Sequence, residues 1–126
     1  MIRVPDPGRF ELRLMDGSVN PYLLQAGVMA AGLDGINNKI DPGEPLFCNM
    51  YTDYKNYPNL PKLPDELEDS LNNLEDSKVL REAFGEKVIS SYVKLKKQEL
   101  ESFDKEERFD KRSSITAWEK INTLDC

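Results

Sequence analysis

The residues best suited to chemistry are three arginines and one glutamate near the start of the chain. Arg9, Glu11 and Arg13 alternate along a stretch whose pattern predicts a β-strand, and Arg3 precedes them. Because side chains alternate across a strand, these three residues should project from one side of it. Guanidinium groups bind phosphate or carboxylate oxygens in pairs, and a carboxylate among them can hold a divalent cation that bridges the same phosphates. The pattern suits phosphoryl transfer.

Spacing alone leaves a second interpretation of these four residues open. Charged side chains on an exposed strand commonly form surface ion pairs, which contribute little to stability. On spacing alone, ordinary ion pairs are the more common explanation, and a phosphate and cation site is the alternative.

Composition bounds the class of protein. The chain has 126 residues, enough for one domain or one lobe of a larger one, and its net charge of -6 argues against a broad nucleic-acid surface. Cys48 and Cys126 match no metal-ligand or redox spacing, so we expect two free thiols and a reducing, cytoplasmic setting. No signal peptide is apparent, and the apolar stretch over residues 22–36 is too short to span a bilayer.

The elements that must position the arginines begin with that strand, predicted over Arg9–Met15 with Phe10, Leu12 and Leu14 on its other face. Residues 16–18 supply a turn. Asn20 and Pro21 then predict a helix start, and the helix should run to about Asn37.

This helix is apolar nearly all round, which predicts a buried helix with neighbours on most sides. Gly27 and Gly32 would permit close approach of another element. Because so short a chain has little material to surround it, we expect part of its cover to come from additional sequence.

Residues 46–64 are predicted to form a loop rich in proline and tyrosine, and three helical segments and then a last helix should follow within 65–126. The first has Leu67, Leu71 and Leu74 at helical spacing behind Asp65, and Glu68 lies three residues after Asp65, which is the spacing of a capping box with Asp65 as the cap. The second ends at Gly85. The longest should cover residues 86–104. It should be amphipathic, and one side should carry Val88, Tyr92, Leu95, Glu99 and Phe103.

The C-terminal end combines charge with a helix signal. Residues 104–112 form a charged run, typical of a solvated connection. Thr116 and Glu119 have the spacing of a capping box, which predicts a final helix carrying Trp118 and Ile121.

Five separate blocks over about the first 45 residues resemble, in order and spacing, the C-terminal catalytic region of glutamine synthetases. The blocks are Ile2-Arg3-Val4-Pro5, Arg9-Phe10-Glu11-Leu12-Arg13, Asn20-Pro21-Tyr22-Leu23, Ala30-Ala31-Gly32-Leu33-Asp34-Gly35-Ile36 and Asn38-Lys39-Ile40-Asp41-Pro42-Gly43-Glu44-Pro45. The ending from Trp118 to Cys126 resembles the bacterial type III or glutamine synthetase-like branch, whose relatives include ligases that join methylamine to glutamate.

The resemblance implies an α+β fold: a mostly helical C-terminal fragment with one or two strands of a larger curved antiparallel sheet. Residues 1–126 would form a partial catalytic domain, with the active-site strand and buried helix in residues 1–45. It also implies that ATP phosphorylates glutamate, and that ammonia or a small amine then displaces phosphate. Glutamine formation is the leading activity, and methylamine ligation is the alternative.

The resemblance also assigns roles to the charged residues. Glu11 would be a ligand to Mg²⁺ or Mn²⁺, and Arg13 would contact the phosphoryl group and glutamate. Arg9 would serve both in catalysis and, with Arg3, in holding the ATP phosphates. Tyr51 lies where some members carry an adenylylated tyrosine, although its sequence context differs, and ordinary packing of the loop is the main expectation for it.

The remaining metal ligands of the family lie upstream, and this chain has no histidine. We therefore expect a truncated product, a split gene or an expressed fragment that is inactive alone. The family implies a cytoplasmic homo-oligomeric ring, commonly a dodecamer, and a non-catalytic module that joins full-length subunits is a further possibility.

Overall fold

The computed structural model describes residues 2–15, 17–106 and 115–123. A β-hairpin comes first and helices follow, in agreement with the predicted α+β, mostly helical class. The elements in chain order are β1 (Ile2–Asp6), β2 (Arg9–Leu12), α1 (Pro21–Asn37), α2 (Met50–Asp53), a 3-10 turn (Tyr54–Asn56), α3 (Leu67–Asp76), α4 (Lys78–Phe84), α5 (Glu86–Glu106) and α6 (Ala117–Asn122).

The hairpin joins β1 and β2 through Pro7 and Gly8. Gly8 has φ +79°, a conformation that glycine adopts without steric cost, and proline suits the preceding turn position. The predicted strand ends at Leu12 and not at Met15, because Leu12 pairs with Ile2, the first residue of β1. The partner strand of β2 is β1 within the described residues, and pairing in a larger curved sheet stays a prediction.

Helix α1 has the predicted bounds and cap. The Asn20 side-chain oxygen accepts hydrogen bonds from the backbone N–H of Tyr22 at 3.0 Å and of Leu23 at 3.1 Å. The predicted burial of helix α1 is wrong for this chain, since no α1 side chain is buried and Tyr22 is 83% exposed. The physical reason is that α1 packs mainly against α4 and has few other neighbours among the described residues.

The segment predicted as a loop over residues 46–64 contains a short helix. The Asn49 side chain accepts a hydrogen bond from the Tyr51 backbone N–H at 3.1 Å, which caps α2, and the 3-10 turn follows directly. Cys48 is a free thiol as predicted, and its hydrogen bond with Tyr57 raises the pKa of that phenol. Tyr51 is 86% exposed, so the expected packing of this tyrosine is not seen.

A small core lies where α5 packs against α3. Among the described residues, the buried apolar side chains are Leu71, Ile89 and Val93. The predicted side of α5 was correct in part. Tyr92, Glu99 and Phe103 are partly buried. Val88 and Leu95 are about half exposed, and the buried residues of α5 are instead Ile89 and Val93. Both sets have nearly helical spacing, so periodicity alone did not distinguish them.

The ends of the helices agree with the sequence in most places. Gly85 ends α4 with φ +84°, as predicted. The predicted cap at Asp65 is wrong, because Glu66 occupies the cap position of α3 and makes no side-chain cap hydrogen bond. An extended Glu66 backbone places the helix start one residue later than the acidic pattern suggested.

Helix α6 has the predicted capping box. The Thr116 hydroxyl accepts from the Glu119 backbone N–H at 3.1 Å, and the Glu119 carboxylate accepts from the Thr116 backbone N–H at 2.7 Å. Trp118 donates to the Ser102 hydroxyl at 3.0 Å and packs edge-on against Phe103, with ring centroids 5.5 Å apart. These contacts fix α6 to the end of α5.

Parts of three predictions lie outside the described residues. They are Asp16 in the turn, most of the charged run at 104–112, and the free thiol of Cys126. None of the helices in the described ranges combines the length and apolar character needed to cross a membrane.

The two faces of α5 can be distinguished by stability. Ile89→Ala should lower the free energy of unfolding by about 2 kcal/mol or more, because it leaves a cavity against α3. Leu95→Ala, on the exposed face, should change it by less than about 0.5 kcal/mol. Urea denaturation of the full chain followed by circular dichroism measures both. Equal effects of the two substitutions would contradict the observed packing.

A candidate phosphate and cation site on the hairpin

The structure brings the four predicted site residues together around the carboxylate of Glu11. Arg9 donates from Nη2 to Oε1 at 2.9 Å. Arg13 donates to Oε2 from Nη2 at 2.9 Å and from Nε at 3.3 Å. Arg3 Nη1 lies 3.2 Å from Oε2 and 3.3 Å from Oε1. All three arginines therefore meet one carboxylate.

The hairpin backbone explains this convergence. Arg9 and Glu11 are two residues apart on β2 and therefore project from the same face. Arg13 lies two residues after Glu11, directly after the end of the strand, and continues the same alternation. Arg3 is the direct cross-strand partner of Glu11. Residues directly opposite in an antiparallel pair have neighbouring side chains, so Arg3 reaches the carboxylate from the second strand.

The cluster is open to solvent and positively charged. The Glu11 side chain is 23% exposed, whereas the exposed fractions of Arg3, Arg9 and Arg13 are 56%, 64% and 52%. Three guanidinium charges and one carboxylate charge leave a local excess of two positive charges in a chain of net charge -6. A guanidinium has more N–H donors than this carboxylate uses, so the cluster can bind phosphate oxygens.

The arginines keep Glu11 ionised. The hydrogen bond from Arg13, and then that from Arg3, hold the pKa of the Glu11 carboxyl below its ordinary value of 4.5. Partial burial acts in the opposite direction but is outweighed. An ionised carboxylate is the form that a divalent cation binds.

The donor set fits one ligand of a magnesium or manganese site. Within residues 2–15, 17–106 and 115–123, no group of three or more Asp, Glu, Cys or His side chains is arranged to hold a metal ion. These cations take about six oxygen ligands. Glu11 can therefore supply one protein oxygen, and the others would come from phosphate, water or further protein sequence.

Other residues in the resembling blocks have structural partners. Asp34 accepts a hydrogen bond from the Asn38 side chain at 2.7 Å and so helps to end α1. Asn20 caps the same helix at its start. These contacts explain the two residues without a ligand.

Sequence reasoning missed the strand that carries Arg3. The available signal was the Pro7-Gly8 pair, which favours a turn and follows a short segment that contains Ile2 and Val4. Combining that turn with the alternation of residues 9–13 would have predicted the hairpin.

Comparisons with known proteins identify relatives over nearly the whole chain. The family model described as glutamine synthetase, catalytic domain, matches residues 1–119. A glutamine synthetase of Rhizobium meliloti (strain 1021) is 46% identical over 125 residues, which cover 99% of this chain and 27% of that protein. The chain thus spans about a quarter of the length of this relative.

Two further similar proteins, one of them a solved structure, carry names other than glutamine synthetase. A glutamate–methylamine ligase of Methyloversatilis universalis is 43% identical over 103 residues, covering 79% of this chain and 23% of that protein. A solved structure described as a GmaS/ADP complex matches with a TM-score of 0.78 and 39% identity, covering 100% of this chain and 27% of that chain.

The pKa of Glu11 provides a direct test of the cluster. Arg13→Gln should raise this pKa towards its ordinary value, because it removes the strongest hydrogen-bond donor to the carboxylate. Carboxyl-carbon NMR titration of the full chain measures the change. Glu119, whose pKa is lowered by its cap contacts with Thr116, is an internal control that should not move.

The lowered pKa of Glu11 also predicts how the stability of the protein depends on pH. Since the folded-state pKa of Glu11 is lowered, its contribution to stability is present above pH 4.5 and is lost as pH falls through the folded-state pKa. The stability difference between the wild type and Glu11→Gln should therefore shrink below pH 4.5. A difference that grows with acid would contradict the assigned ion pairs.

Proposed function

The chain belongs to the glutamine synthetase catalytic-domain family, and from this membership we propose that it supplies part of the active site of an ATP-dependent glutamate–amine ligase. In this proposal residues 1–126 form a partial catalytic domain, in which residues 1–45 carry the active-site strands and the helix that follows them in the chain. The observation that carries the proposal is the meeting of Arg3, Arg9 and Arg13 on the Glu11 carboxylate.

Each residue of the cluster has a separate task in this proposal. Glu11 provides a carboxylate oxygen to Mg²⁺ or Mn²⁺, which when bound offsets negative charge on the nucleotide phosphates. Arg3 and Arg9 hold the ATP phosphates. Arg13 and Arg9 contact the phosphoryl group as it passes to the glutamate side chain, where planar, permanently charged donors suit the transition state's oxygens.

Binding of substrate requires an exchange of partners at Glu11. In the described structure both of its oxygens accept hydrogen bonds from arginine. When the guanidinium groups turn to phosphate oxygens, the carboxylate oxygens are released to a cation. The four side chains are already on one face, so this exchange needs rotations of side chains and no rearrangement of the strands.

Ammonia is the proposed acceptor, which makes glutamine the product. The second candidate is methylamine or another small amine, and it is supported by similarity to the glutamate–methylamine ligase and by the GmaS structural match. The ADP held in that related complex supports nucleotide use. We also propose assembly into cytoplasmic rings of identical subunits, and membership of the family is the support for this assembly.

A non-catalytic module is the alternative from another class. The exposed apolar side chains of α1, among them Tyr22, Met29 and Ile36, support association with another protein surface. In that case the chain would join full-length subunits without contributing a working site.

Complementation tests the proposed ligase. The chain is mixed with the remaining part of the Rhizobium meliloti relative as a second polypeptide, and phosphate release is measured with ATP, glutamate and Mg²⁺. Ammonia and methylamine are supplied in parallel. We expect activity only in the mixture, with Glu11→Ala reducing it by about a hundredfold or more, because charge on the phosphoryl group is no longer offset.

Glu68→Ala is the matched control, since Glu68 is an exposed carboxylate in α3, remote in sequence from the hairpin, and its loss should leave activity unchanged. Arg13→Lys keeps the charge but loses the paired donors, and it should reduce activity less than Glu11→Ala. A folded complex without activity on either amine would favour the non-catalytic module.

A further inference from the structure

The pairing of the hairpin contains one extra residue in β1. Asp6 pairs with Arg9, and Arg3 pairs with Glu11. Three chain steps in β1 therefore match two in β2, and the pairing is irregular between Arg3 and Asp6. Such an insertion is a β-bulge. We call it the Val4-Pro5 bulge after the two residues between the paired positions.

A regular hairpin would place a different side chain beside Glu11. Counting back from the Asp6–Arg9 pair without a bulge sets Val4 opposite Glu11 and Arg3 opposite Leu12. A shift of one residue moves a side chain to the other face of the strand. Arg3 would then lie on the face away from the cluster, and an apolar residue would take its position.

Pro5 is the residue in β1 that opposes regular pairing. Its ring fixes φ near −65°, far from the value of about −140° in a regular antiparallel strand. Proline inside sheets is accordingly found at edges and bulges. Pro5 is also partly buried, whereas the other four residues of β1 are exposed.

We infer that the Val4-Pro5 bulge is a positioning device that turns Arg3, and not Val4, towards Glu11, and that Pro5 is the positioning residue that maintains it. The inference deepens the proposed function and rests on it only where Arg3 is taken to bind the ATP phosphates. The structural part, the choice of residue beside Glu11, stands on the pairing alone.

Exchanging the two residues tests the position without changing composition or charge. In the double variant Arg3→Val/Val4→Arg, the arginine should leave the cluster, and the pKa of Glu11 should rise because the hydrogen bond from Arg3 is lost. In the complemented assay, KM for ATP should rise about tenfold or more, with a smaller change in kcat, because a charged hydrogen bond to phosphate is lost. An exchanged chain that behaves like the wild type would overturn the inference.

Deletion of Val4 separates positioning from a merely structural role. Without Val4, regular pairing from Asp6–Arg9 sets Pro5 opposite Phe10 and Arg3 opposite Glu11, so the arginine keeps its position. The acid dissociation constant of Glu11 and the KM for ATP should therefore each remain within about twofold to threefold of the wild-type value. If the deletion is as harmful as the exchange, the bulge matters for some reason other than Arg3.

Pro5→Val tests the residue itself. Removing the ring should permit the regular pairing, bring Val4 beside Glu11 and raise the pKa of Glu11. Deleting Val4 in the Pro5→Val chain should restore the low pKa. Cross-strand nuclear Overhauser contacts identify which residue faces Glu11, and unchanged Arg3–Glu11 contacts in Pro5→Val would overturn the role of Pro5.

The experiments distinguish failure of this inference from failure of the proposed function. The NMR measurements use the full chain without substrate and do not depend on activity. If the wild-type complex lacks ligase activity, the proposed function fails while the NMR results still decide which residue the bulge places beside Glu11.

Discussion

The attraction between the Glu11 carboxylate and three guanidinium groups is the interaction around which the hairpin is arranged. Arg3, Arg9 and Arg13 carry like charges that repel at short range, and Glu11 is the group that holds them together. Exposed ion pairs contribute little net stability. In the proposed function, the cluster therefore acts by holding donors in place before a phosphate binds, which lowers the cost of ordering them during binding.

The scaffold behind the cluster is slight. Two-stranded hairpins are marginally stable alone in water, and contacts of β1 and β2 within the described residues are chiefly with each other. The turn at Pro7 and Gly8 and the cross-strand pairs must then determine the geometry. The buried side chains Leu71, Ile89 and Val93 lie in the helical part, so changes to the core and changes to the site should be largely independent.

Local signals predicted what local forces determine. The Asn20 cap, the glycine at the end of α4 and the Thr116 capping box each act within one turn of helix, and all three were predicted correctly from the sequence. The buried face of α5 depends on α3, and the partner of Glu11 depends on a register offset by one residue. Such features are set by tertiary contacts, which periodicity and spacing do not encode.

Two features of the described residues are incomplete in related ways. Glu11 offers a single carboxylate where a divalent cation needs about six oxygens, and the apolar helix α1 has no buried side chain. Both lie within the blocks that resemble the catalytic region, and the matched relatives are several times longer than the aligned segment. In the proposed function, further protein sequence supplies both the remaining cation ligands beside Glu11 and the apolar cover of α1. This is the physical reason to expect activity from the complemented chain and not from the hairpin alone.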